Sequence, residues 1–173
     1  MKSVLISIQP KWCALIARGV KTIEVRKTAP KIATPFKCYI YETQGKTEEP
    51  CMDEDGHMIF RGRGMVIGEF VCDEIIVAPY GQYCNIPSAE THLDALDLMD
   101  YADGKTVYGW HISDLVIYDE PKELAEFWSS DKCPYASKDG CTYEYHCFRA
   151  GQTKRCGSTL ERPPQSWCYV EEV

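Results

Sequence analysis

The sequence predicts a small α+β domain, an antiparallel or mixed β-barrel with short helices at its ends. Three observations predict it. A chain of 173 residues has the length of one domain. An apolar content of 45% with 12% aromatics supports a packed core and excludes a disordered chain. Alternating stretches punctuated by Gly and Pro mark roughly five to seven strands, and helical spacing marks about three short helices. Residues 1–173 therefore read as one domain, with 133–156 as a cysteine-rich insertion within it.

Leu5 to Gln9 opens the chain as a short strand. Pro10 then starts a helix with Trp12, Leu15 and Ile16 three and four apart on one face, and Gly19 stands just past its end. Pro at the first helical position and Gly after the last follow the known asymmetry of helix termini. Trp12 is expected to anchor this helix in the core.

After Gly19 the period changes to two. In "GVKTIEVRK", residues 19–27, Ile23 and Val25 share one face with Lys21 and Lys27, and Thr22, Glu24 and Arg26 share the other. Same-face neighbours stand about 7 Å apart, close enough for Glu24 and Arg26 to pair. One face joins the core, while the other presents a hydroxyl, a carboxylate and a guanidinium.

Phe36 to Thr43 is a second, tyrosine-rich strand, with Tyr39 and Tyr41 on one face. The acidic stretch Glu48 to Gly56 reads as a hairpin loop and Met58 to Phe60 as its return, with Gly62 and Gly64 marking a bulge or sharp bend. Met65 to Val77 is a long strand region and Ala78 to Pro87 a loop. Ser88 caps a helix through about Met99, with Leu93, Leu96 and Met99 inward. Thr106 to Tyr118 is a strand with Trp110 in the core. Pro121 begins a short helix through Phe127, and Ser166 to Val170 is a final strand.

Charge is unevenly distributed. The net charge is -7, yet residues 1–46 hold nine Lys/Arg against two Glu, while residues 47–132 hold five against nineteen Asp/Glu. The N-terminal third can thus present a basic patch to an anionic partner. The only early apolar run, Val4 to Ile8, is too short for a signal-peptide core or a membrane span. The chain is read as soluble and cytoplasmic.

Of the ten cysteines, Cys13, Cys38, Cys72 and Cys168 fall in apolar periodic segments, where a thiol behaves as a small hydrophobe. Cys133, Cys141, Cys147 and Cys156 instead cluster in a polar segment. Four thiolates can close a tetrahedral zinc site that orders such a loop. Free or redox-active thiols and disulfides are the alternatives, because no Cys-x2-Cys pair is present.

"SIQPKWCALIARGVKTIEVRK", residues 7–27, resembles the ASCH family, a branch of the PUA-like β-barrels, most closely over Gly19 to Arg26. "YGWHISDLVIYDEPKEL", residues 108–124, is similar to the family's late strand. "RPPQSWCYVEE", residues 162–172, is similar to the ending of ASCH proteins found in prophages. The resemblance implies a PUA-like mixed barrel with a cleft beside the first helix that receives RNA or a nucleobase. Lys21, Glu24 and Arg26 would face or flank it. One branch of the family is an amidohydrolase acting on N4-acylated cytidine through Lys, Thr and Glu. Lys21 matches its lysine, Glu24 stands where its nucleophilic threonine would be, and Glu90 is the candidate for its acid. Other members have been described as ribonucleases.

Two functions follow as expectations. The first is a binding module for RNA or a nucleotide, with Lys11, Lys21, Thr22, Glu24, Arg26 and Tyr41 as contacts; cations supply phosphate affinity and aromatic faces stack on bases. The second is a hydrolase with Lys21 and Glu24 as the reactive pair. The binding reading is preferred, because the hydroxyl nucleophile is missing and no metal-centred hydrolytic motif replaces it. A protein-holding accessory role is a third possibility.

Overall fold

Strand β1 (Ser3–Ile8) is buried along its whole length, because it is flanked by two strands and both its faces pack on a core. Strand β3 (Phe36–Glu42) pairs with it in parallel and β14 (Trp167–Glu172) antiparallel. A parallel partner requires a crossover. Helix α1 (Pro10–Ala17) and strand β2 (Ile23–Arg26) form that crossover, and they carry the residues of interest. The computed structural model describes residues 2–52, 56, 58–129, 136–137, 140–141 and 158–172.

Next come β4 (Lys46–Met52) and β5 (Met58–Arg61), which pair with each other. Strands β6 (Val66–Cys72) and β7 (Ile75–Ala78) follow, then helices α2 (Ser88–Thr91) and α3 (Ala95–Ala102). The chain returns through β8 (Val107–His111) and β9 (Ser113–Lys122). Short strands β10 (Phe127–Ser129), β11 (Ala136–Ser137), β12 (Gly140–Cys141) and β13 (Ser158–Thr159) lead to β14.

Period-two alternation sorts β1 and β3 onto two cores. Val4, Ile6, Cys38 and Ile40 join Ile16, Phe70 and the fully buried Trp110 on one side. Leu5, Tyr39 and Tyr41 join Val66, Phe127 and Val170 on the other. A third core of Ile23, Val25, Tyr83, Ile86, Leu98 and Ala102 lies under β2 and α3.

The ladders depart from the predicted closed barrel. Among the described residues they form a seven-stranded sheet, β13-β10-β14-β1-β3-β6-β9, and a three-stranded sheet, β2-β8-β7. The two share one long antiparallel ribbon: β6 pairs with β9, and β7 with β8. This ribbon bends where Asp73–Glu74 and Ile112 interrupt the strands, so its ends enter different sheets. Each predicted long strand, Met65–Val77 and Thr106–Tyr118, is therefore a bent pair of strands.

Two other predicted elements differ. The helix expected from Ser88 to Met99 is broken at His92, which adopts a left-handed backbone, φ 56°. Asp94 restarts it by accepting from the amides of Leu96 and Asp97, both at 2.8 Å. The restart resets the helical phase, so Leu98 and Ala102 are buried while Leu96 and Met99 are exposed. Pro121 does not open a helix; it lies within β9, which runs on to Lys122, and only a 3-10 turn over Leu124–Glu126 precedes β10.

Cys13, Cys38 and Cys72 are free and buried, as their periodicity predicts, and Cys168 is half-buried. Burial pushes the thiols of Cys13 and Cys38 well up and that of Cys72 to about 12, so none is a ready nucleophile. Cys133, Cys147 and Cys156 lie outside the described residues, and of Cys141 only its place in β12 is described. Among the described residues no cluster of His, Cys, Asp and Glu is arranged to hold a metal, and no helix is long and apolar enough to cross a membrane.

Candidate functional site

The turn after α1 sets the geometry of the site. Gly19 adopts φ 68°, a conformation that costs glycine little, and its amide bonds the Ile16 carbonyl at 2.8 Å. The amides of Val20 and Lys21 then both bond the Leu15 carbonyl, at 3.0 and 3.1 Å. This folds the chain back against the helix and drives the Lys21 side chain inward.

Lys21 is 2% exposed. Its Nζ donates to the carbonyls of Ile23 and Thr91, each at 2.8 Å, and stands 3.4 Å from Glu24 Oε2. An ammonium has three donors, so all three are engaged. The same Nζ lies 5.1 Å from the Trp12 ring centroid. Burial lowers the lysine pKa; the Glu24 carboxylate opposes that shift, and the nearby Arg26 adds to it.

Glu24 is 6% exposed and bridges two cations. Its other oxygen, Oε1, is 3.0 Å from Arg26 Nη2, which also donates to the Ser7 carbonyl at 2.6 Å. Arg26 thereby ties β2 to β1, while its buried Nε has no hydrogen-bond partner among the described residues. In the β2–β8 ladder Glu24 stands opposite Trp110, and Val25 opposite Gly109. A Cβ on Gly109 would come within 3.0 Å of Ile23 Cγ2, so the glycine permits the close approach that seats β2.

Above this triad lies a cleft of about 170 Å³. Trp12 and Tyr101 supply aromatic walls and Leu93 an apolar one; Ser7, Gln9, Lys21, Glu24 and Arg26 supply polar groups. Burial raises the Tyr101 pKa, with Arg26 opposing, so the phenol is neutral. Two cations against one carboxylate leave the floor positively biased.

The predicted site residues separate into groups. Lys21, Glu24 and Arg26 come together in the cleft. Thr22 does not line it: its hydroxyl donates to Glu90 Oε2 at 3.2 Å and its amide bonds the Glu90 carbonyl at 3.0 Å. Glu90 thus lies beside the triad rather than in the cleft. Lys11 is exposed on α1 and stacks on Trp12, its Nζ 5.1 Å from the ring centroid. Tyr41 is buried in the second core, because even alternation along β3 sends it there with Tyr39. His111 pairs with Asp73 at 2.7 Å and is not part of the cleft.

The sequence reading missed Tyr101, Leu93 and Gln9. Tyr101 and Leu93 come from a segment some 70 residues downstream and carry no local motif; Gln9 reads as the end of the first strand, whereas it is the N-cap of α1. Trp12 serves both purposes, packing on the first core and lining the cleft.

No protein-family model and no curated protein matches the chain. Solved structures do. An ASCH crystal structure from Zymomonas mobilis is 21% identical, with 70% of this chain covering 73% of that one and a TM-score of 0.53. A Tyr-to-Phe mutant of the Zymomonas mobilis ASCH protein gives 21% identity, 72% and 77% coverage and a TM-score of 0.54. A Ser-to-Ala mutant gives 19% identity, 98% and 88% coverage and a TM-score of 0.59. The chain has the ASCH fold.

Proposed function

We propose that the chain is an RNA- or nucleotide-binding ASCH protein whose cleft receives a single nucleobase. The observation that carries this reading is the pairing of aromatic walls, Trp12 and Tyr101, with the positively biased floor of Lys21, Glu24 and Arg26. A planar base offers a π-face to the walls and hydrogen-bonding edges to the floor. At about 170 Å³ the cleft is small beside the pockets that hold drug-sized ligands, which suits one base rather than a stacked run of them.

Titration calorimetry with nucleoside monophosphates, at two salt concentrations, tests the reading. Binding is expected to weaken with salt and to be lowered by Arg26→Ala. Binding indifferent to both would remove the support.

One observation favours the hydrolase as a second reading: Lys21 is buried beside a carboxylate and its pKa is lowered, as suits a general acid or base. Against it, all three Lys21 donors are engaged. Turnover of N4-acetylcytidine or of single-stranded RNA, assayed separately and abolished by Glu24→Gln, would establish it. Structural zinc at Cys133, Cys141, Cys147 and Cys156 stands as a proposal on spacing alone; stoichiometric zinc in freshly purified protein checks it.

A further inference from the structure

We propose that the surface joining residues 27–31 to residues 162–169 is a track for a single RNA strand leaving the cleft. The proposal rests on reading the cleft as a nucleobase site and specifies that the base belongs to a strand.

The first observation is charge. The chain carries -7, yet no Asp or Glu occurs between Glu24 and Glu42, nor between Glu161 and Glu171. These two acid-free segments meet in the fold. Trp167 Nε1 donates to Thr28 Oγ1 at 2.9 Å, and the Lys31 amide donates to Tyr169 Oη at 2.7 Å. Lys27, Lys31 and Arg162 are all exposed there. Lys2 joins them, its Nζ 4.0 Å from the Tyr169 ring centroid.

The second observation is continuity with the cleft. Ser7 lines the cleft, accepts from Arg26, and donates through its hydroxyl to the Pro164 carbonyl at 2.7 Å. Its amide bonds the Ser166 carbonyl at 2.9 Å. Trp167 follows directly, and its ring meets that of Tyr169 at 5.4 Å. On the other side Lys27 lies 5.2 Å from the ring centroid of Tyr101, a wall of the cleft. The surface beside the cleft is therefore basic and aromatic.

Cations with interleaved aromatics suit phosphates separated by unpaired bases. Trp167 and Tyr169 pack partly against the first core and remain half-exposed. An acidic protein segment would use the charge alone, whereas unpaired bases would also use these aromatic surfaces.

The test measures binding of the four nucleoside 5′-monophosphates and of a random-sequence RNA hexamer to the full chain and to the K31A/R162A double variant. Both substituted side chains are exposed, and the Lys31 amide that bonds Tyr169 is retained. The hexamer is expected to bind about tenfold or more tighter than any monophosphate. The double variant should lower the hexamer's slope of log affinity against log salt by about 1.4, at about 0.7 per lost phosphate contact, and leave monophosphate affinity unchanged. A hexamer bound no tighter than a monophosphate overturns the proposal, as does an unaltered slope or equal competition by polyglutamate. Hexamer binding that the double variant weakens, with no monophosphate binding at all, keeps the track and sinks the cleft reading instead.

Discussion

Lys21 and Glu24, three residues apart, face each other at 3.4 Å in a space that leaves the lysine 2% and the glutamate 6% exposed. Glu24 also holds Arg26, so one carboxylate neutralises part of two cations, the buried Lys21 and the partly buried Arg26. Replacing Glu24 by Gln leaves both without an anionic partner among the described residues. Removing one partner of a buried pair costs about 3–5 kcal/mol, and Glu24→Gln is expected to fall in that range. Equilibrium urea unfolding measures it; a change under about 1 kcal/mol would show the triad to be better solvated than its burial implies.

The lowered pKa of Lys21 has a consequence for pH. The folded state holds this proton less tightly than the unfolded chain, whose lysine titrates near pH 10.4. Below the lowered folded value both states are protonated and the burial penalty is fully present. As pH rises through the lowered folded value towards about 10.4, the unfolded state binds more protons, and stability contributed at this position rises. Wild type is therefore expected to gain stability relative to Lys21→Met across the alkaline range. Unfolding curves of the two proteins at a series of pH values, with the difference taken at each, check the sign.

The early part of the site was legible because its signals are local. Pro10, Gly19 and the switch to period two define α1 and β2 within 20 residues, and Lys21, Glu24 and Arg26 lie inside that window. What period two could not give was depth. It placed Glu24 and Arg26 on a polar face, but the burial of that face depends on α2 and Leu93 arriving from elsewhere. Tyr41 failed for the opposite reason: its strand is covered on both faces, so a tyrosine-rich face reads equally as core or platform. The closed barrel failed because nothing in Met65–Val77 or Thr106–Tyr118 marks the bend except Asp73–Glu74 and Ile112, which fit a continuous strand equally well.

Asp94 governs a cleft wall from a distance. Its carboxylate caps α3, which ends with Tyr101 and Ala102. Asp94→Ala should cost about 1 kcal/mol of stability, the usual worth of such a cap. Asp94→Asn, which retains an acceptor oxygen, should cost a few tenths. Thermal unfolding of both variants distinguishes capping from a general effect of removing negative charge, since the second would make them equal.

Trp12 carries the most direct test of the cleft. Its ring already lies near two ammonium groups, Lys11 and Lys21, each 5.1 Å from the centroid, and it forms one wall of the site. A base stacked there would lose about 1–3 kcal/mol of affinity on truncation to alanine, and this should appear with all four nucleoside monophosphates because every base has a π-face. Trp12 also packs on the first core, so Trp12→Ala should lower stability as well; Trp12→Phe keeps an aromatic face and separates the two effects. The phenylalanine variant is expected to retain most of the affinity that the alanine variant loses. Equal loss in both, at equal stability, would mean that the indole is held for packing and that the base meets another wall.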